Sequence, residues 1–106
     1  MYAAVCNESE LSEGEMTKYE FNNRWILLAK AGSFWYACDS SCTHEEADLS
    51  LGILCENTVT CPLHRAKFDL KTGQVLEGPN GDDPTTIPTL RVYKTKVEEG
   101  KVLVDL

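Results

Sequence analysis

Thr17, Tyr19 and Phe21 alternate with Met16, Lys18 and Glu20, the period of two that turns one face of a β-strand to a core and the other to water. Asn22-Asn23 follows, and asparagine tolerates the positive φ of a tight hairpin. The next run, Trp25-Ile26-Leu27-Leu28-Ala29, is apolar at every position and reads as a central strand covered on both sides. Ala31-Gly32-Ser33 turns it into Phe34-Trp35-Tyr36-Ala37-Cys38, whose aromatics are expected in the core. Farther on, Ile53 to Cys55 and Thr58 to Cys61 read as a hairpin, and Phe68-Asp69-Leu70 and Gln74-Val75-Leu76 flank a turn at Lys71-Thr72-Gly73. Glu77 to Pro84 is too rich in Gly, Pro, Asn and Asp to be a strand. The chain returns through Leu90 to Val97, turns at Glu98-Glu99-Gly100 and ends on Val102, Leu103 and Val104. No amphipathic helix of normal length and no internal repeat interrupts this series. The pattern predicts an all-β fold, with antiparallel basal sheets and a small inserted subdomain over residues about 38–79.

Two runs within that insert carry chemistry: Cys42-Thr43-His44 and Cys61-Pro62-Leu63-His64. Each offers one thiolate and one imidazole. Cysteine paired with histidine twice over suits a two-iron cluster in which one iron takes both sulfurs and the other both ring nitrogens. A zinc site is the alternative, because zinc also accepts two cysteines and two histidines. The order of the ligands argues against it, since zinc sites of that composition usually keep both cysteines on one arm and both histidines on the other.

The surrounding residues, S-S-C-T-H followed by C-P-L-H-x-x-x-F-D-x-x-T-G, resemble the Rieske family and especially its small ferredoxins. The likeness is close over about residues 38–79 and looser in the flanks. It implies that Cys42, His44, Cys61 and His64 hold one [2Fe-2S] cluster per chain, and that the breaker-rich segment supplies a third loop at Gly78-Pro79. Arg65 departs from the resemblance, standing where many members have glycine. High-potential members carry an extra cysteine in each ligand loop, plus a serine and a tyrosine whose hydroxyls donate to the cluster sulfurs. Ala47, Leu63, Ala66 and Phe68 stand at those positions here. The resemblance therefore implies a low-potential centre.

By resemblance the chain is a soluble one-electron carrier between a flavin-containing reductase and a terminal oxygenase, and not itself an enzyme. Two alternatives stand beside this: a small subunit of a nitrite-reductase-like enzyme, whose relatives often lack the ligands, and a Rieske-type redox sensor. Composition narrows the partners. With 106 residues the chain is expected to form one domain, 1–106, leaving no room for a catalytic second one. Seventeen acidic against 10 basic residues give a formal charge of −7, which disfavours nucleic acid and anionic membranes. Beyond the candidate ligands lie Cys6, Cys38 and Cys55, an odd set that does not read as a disulfide framework. Cys38 and Cys55 are expected to be inert and buried. The start of the chain, Met-Tyr-Ala-Ala-Val-Cys, has no basic region and only a short apolar run. A cytoplasmic monomer is the expectation.

Overall fold

The computed structural model describes residues 1–42 and 47–106. Eleven strands lie among them: β1 (Tyr2–Asn7), β2 (Met16–Phe21), β3 (Arg24–Ala31), β4 (Phe34–Asp39), β5 (Ile53–Cys55), β6 (Thr58–Thr60), β7 (Lys67–Asp69), β8 (Val75–Glu77), β9 (Val92–Tyr93), β10 (Thr95–Glu98) and β11 (Lys101–Asp105). The helical elements among the described residues are single 3-10 turns. The strands form three antiparallel sheets, ordered β1-β11-β10, β2-β3-β4-β9 and β5-β6-β7-β8. The first two are basal, and the third is the inserted subdomain. Asn22 and Asn23 take φ of 50° and 63°, closing the β2–β3 hairpin with both central residues left-handed, as a type I′ turn requires.

The run of apolar residues in β3 has a simple cause. Ile26 and Leu28 point into one core with Trp35, Ala37, Val102 and Val104. Leu27 and Ala29 point into another with Cys38, Leu49, Val59 and Phe68. Since successive side chains leave a strand on opposite faces, β3 serves both cores. The sheet containing it is thus the middle layer, with the β1-β11-β10 sheet on one side and the insert on the other. The run is interrupted at its start, where Trp25 stays about half exposed, at 48%. Its ring lies 4.7 Å from the Lys18 ammonium.

Phe34 differs from expectation. It sits at the start of β4 beside the Gly32-Ser33 turn and is exposed, whereas Trp35 is buried. The alternation of a strand puts Trp35 on one face and Phe34 on the face of Tyr36 and Cys38, which meets the insert; Phe34, the first residue of the strand, is nonetheless left exposed.

The turn before β8 is held by Gly73, whose φ is +81° and whose carbonyl accepts from the Leu90 N–H at 2.8 Å. A Cβ there would lie 2.0 Å from the Leu90 carbonyl oxygen. Gly73→Ala should therefore lose about 2–4 kcal/mol, combining left-handed strain with a main-chain clash. A lowered denaturant midpoint of the purified protein is the measurement.

Candidate metal centre

The two loops carrying the cysteines are closed in the same way. The Cys42 N–H donates to the Ala47 carbonyl at 2.9 Å, and the Cys61 N–H donates to the Ala66 carbonyl at 2.8 Å. One residue outward on each side, Ser41 bridges to Asp48 and Thr60 pairs with Lys67, both antiparallel. Each loop thus runs from a cysteine to an alanine five positions on, in one register. Both alanines are buried, and so are both cysteines, Cys42 at 5% and Cys61 at 1% exposure. All four lie in one core cluster with Leu49, Val59, Phe68 and Leu70.

His64, Leu63 and Arg65 are exposed at the crest of the second loop. His64 and Arg65 both have left-handed backbones, with φ of 62° and 59°, and this turns the chain sharply between the buried Cys61 and the buried Ala66. The conformation explains why glycine suits position 65: an L-residue there carries a cost of roughly 1–2 kcal/mol that glycine avoids. Of the expected ligands, Cys42 and Cys61 lie buried at the bases of the two loops and His64 on the exposed crest of the second. His44, the fourth expected ligand, lies outside the described residues together with Thr43 and Glu45.

The breaker-rich loop covers the second ligand loop from the side. The Asn80 N–H donates to the His64 carbonyl at 2.5 Å, and the Asn80 side-chain nitrogen lies 3.5 Å from His64 Nδ1. Asn80 is left-handed too, with φ 55°. A Cβ on Gly78 would lie 2.7 Å from the Asp83 carbonyl oxygen, so the loop closes tightly on itself there. Pro79 is buried, so it braces the loop from within.

The other cysteines divide. Cys38 is fully buried in β4, and burial pushes its thiol well above the usual range. Cys6 is also buried, its thiol raised by desolvation. Cys55, expected to be buried, is exposed. It ends the three-residue β5, where Leu54 is turned inward and Ile53 and Cys55, on the opposite face, are left in water. No disulfide joins any of the five. Sequence reasoning missed Asp48, which receives hydrogen bonds from Lys18, Ser40 and Ser50 beside the first loop. Desolvation would raise its carboxyl, but these donors outweigh it and hold the pKa down at about 2.

The donor set fits an iron–sulfur group of mixed ligation. Two thiols without a disulfide sit at the buried bases of matched loops, and an imidazole is displayed on the crest of the second. Such a group takes sulfur on one iron and ring nitrogen on the other, and buried thiols beside an exposed imidazole are compatible with that division.

The comparisons agree. The family model of the Rieske [2Fe-2S] domain matches residues 1–94. The ferredoxin component of biphenyl 2,3-dioxygenase from Rhodococcus jostii is 35% identical over 102 residues, covering 96% of this chain and 90% of that protein. The ferredoxin of carbazole 1,9a-dioxygenase from Nocardioides aromaticivorans superposes with a TM-score of 0.86 at 26% identity, over 97% of this chain and 95% of the other. A ferredoxin in a complex of reduced oxygenase and oxidized ferredoxin of carbazole 1,9a-dioxygenase gives 0.85 at 28% identity, over 97% and 91%. The chain belongs to the Rieske [2Fe-2S] family. It is an all-β electron-transfer protein, not an enzyme, and its cofactor is a [2Fe-2S] cluster. Among the described residues no helix is long and apolar enough to cross a membrane.

Proposed function

We propose that this chain carries single electrons from a flavin-containing reductase to a terminal oxygenase, as a cytoplasmic monomer of one domain, 1–106, with Cys42, His44, Cys61 and His64 holding its cluster. The observation that carries the ligand assignment is the matched closure of the two loops, Cys42 to Ala47 and Cys61 to Ala66, around two buried thiols. The oxygenase partner is supported by the similar ferredoxin seen in complex with an oxygenase. When bound, the [2Fe-2S] group supplies reversible one-electron storage. The protein's part is to keep Cys42 and Cys61 dry, so that their thiolates are tuned by neighbouring N–H groups rather than by water. Its other part is to expose His64, because electron transfer needs close approach of the partner.

The test is direct. The purified protein should be red-brown, carry iron and sulfide in the ratio of a [2Fe-2S] cluster, and show on reduction the anisotropic EPR signal of mixed nitrogen and sulfur ligation. Zinc in place of iron would overturn the reading.

The docking surface we assign to Leu63, His64 and Arg65 on the exposed crest of the second ligand loop, together with Thr43, His44 and Glu45, which lie outside the described residues; Pro79, expected from the resemblance to join it, is buried. Arg65 is an exposed cation in an acidic chain, held on a strained backbone where glycine would be easier; strain of this kind persists where function holds it. Arg65→Glu should change the rate of electron delivery on the order of ten-fold at low salt, with cluster content unchanged and the difference shrinking as ionic strength rises. Stopped-flow mixing of reduced carrier with oxidised oxygenase measures it, and identical rates at low salt would move the docking site elsewhere.

A further inference from the structure

The two ligand loops share a closing register but not a support. Behind the second, the Thr60–Lys67 pair is the first rung of a ladder that continues through Val59–Phe68 and Thr58–Asp69, with β5 and β8 flanking it. Behind the first, the antiparallel pairing among the described residues is the single bridge Ser41–Asp48, reinforced by the Leu49 N–H donating to the Ser40 carbonyl at 2.7 Å. So short a pairing is marginal by itself.

The side chain of Asp48 occupies the gap. Its Oδ1 accepts from Ser40 Oγ at 2.9 Å, from the Ser50 N–H at 2.9 Å and from Ser50 Oγ at 2.6 Å, while its Oδ2 accepts from Lys18 Nζ at 2.6 Å. Ser40 lies on the arm entering the loop, Asp48 and Ser50 on the arm leaving it, and Lys18 on β2 of the middle sheet. Ser40 is 3% exposed and is the one buried polar side chain among the described residues. A buried hydroxyl needs a partner, and Ser40 donates to this carboxylate. The Ser40 N–H in turn donates to the Trp25 carbonyl at 3.0 Å, so both arms are tied to the middle sheet. In the second loop the equivalent position is Lys67, which is half exposed and reaches Glu77 at 3.4 Å. There the ladder does the holding.

We propose that Asp48 is a positioning residue for the first ligand loop: its carboxylate, in place of a β-ladder, fixes the arm that presents Cys42. The inference rests on the ligand assignment above. It is a role for a charged hydrogen-bond hub, and charge-assisted bonds are about twice as strong as neutral ones.

Two variants of the iron-loaded protein test it. Asp48→Asn keeps the size but removes the charge and one acceptor, and Lys18→Met leaves Asp48 and both serines intact while cutting the tie to β2. Both should release iron to an excess of EDTA several-fold faster than the unaltered protein, and both should shift or broaden the EPR g-values of the reduced state. Because the two changes alter the local charge in opposite senses, a purely electrostatic role predicts midpoints moving in opposite directions with release rates and g-values unchanged. That result, or two variants indistinguishable from the unaltered protein, would overturn the proposal. Lys18 is substantially exposed, so Lys18→Met tests the brace even where Asp48→Asn folds poorly. Cys42→Ser separates this proposal from the reading beneath it. Full iron retention in that variant would refute the ligand assignment itself, whereas iron loss there with unaltered release in the other two would refute only the brace.

Discussion

Cys61→Ser is expected to give a protein with almost no iron and no visible colour, while Cys38→Ala, at an equally buried cysteine, keeps its full complement. The two positions separate burial from ligation. Both side chains are sealed from water, Cys61 at 1% and Cys38 at 0% exposure, and both belong to one core cluster. Cys38 lies within β4 and hangs from the middle sheet. Cys61 lies at the base of a loop whose crest displays His64. A serine hydroxyl is a poor substitute for a thiolate toward iron, which in such clusters is held by sulfur and imidazole. Loss of the group also removes binding free energy that contributes to folding, so Cys61→Ser should unfold at lower denaturant than Cys38→Ala. Iron and sulfide analysis settles the first point and an unfolding curve the second. Retention of iron by Cys61→Ser would contradict the ligand assignment.

The second large effect is on potential. The double variant Ala66→Ser, Phe68→Tyr should raise the reduction midpoint. Ala66 and Phe68 are fully buried in the same cluster as Cys42 and Cys61, and neither offers a donor. Reduction adds negative charge, and a hydroxyl that donates to a sulfur favours the more negative state. A bond about 1 kcal/mol stronger to the reduced than to the oxidised form moves a one-electron midpoint by roughly 40 mV. Two such bonds would give a rise of about 80 mV. The unaltered protein should accordingly sit near the lower end of the roughly −150 to +300 mV span of Rieske centres. Protein-film voltammetry measures both values. An unaltered midpoint in the upper half of that span, or a double variant with no rise, would show that other groups set the potential.

Much of this was legible in the residues themselves. The two Cys/His runs located the loops, Asn22-Asn23 marked a hairpin that forms with both residues left-handed, and the apolar run in β3 marked a strand with no face in water. What escaped notice depends on contacts that no local pattern encodes. Cys55 and Phe34 lie in apolar stretches of sequence, but each stands at an end of its strand and is exposed there. Pro79 is buried, where the breaker-rich loop closes on itself with the Gly78 N–H donating to the Asp82 carbonyl. Asp48 gave only the local signal of a turn closed by Ser50 two residues on; the partners that make it a hub lie 30 residues back on β2 and eight back before the loop. Side-chain bonds over such separations appear only once the sheets have been assembled.

The double duty of β3 limits how this carrier can diverge. In an ordinary half-buried strand every second position is free to drift, and a lineage can explore new surface chemistry there at little risk. From Ile26 to Ala29 that freedom is gone, since a polar replacement of either parity falls into one core or the other. Variation between carriers that serve different partners must therefore accumulate at the ends of the strand, at Arg24 and Trp25, and in the loops, where the backbone tolerates what the middle sheet does not.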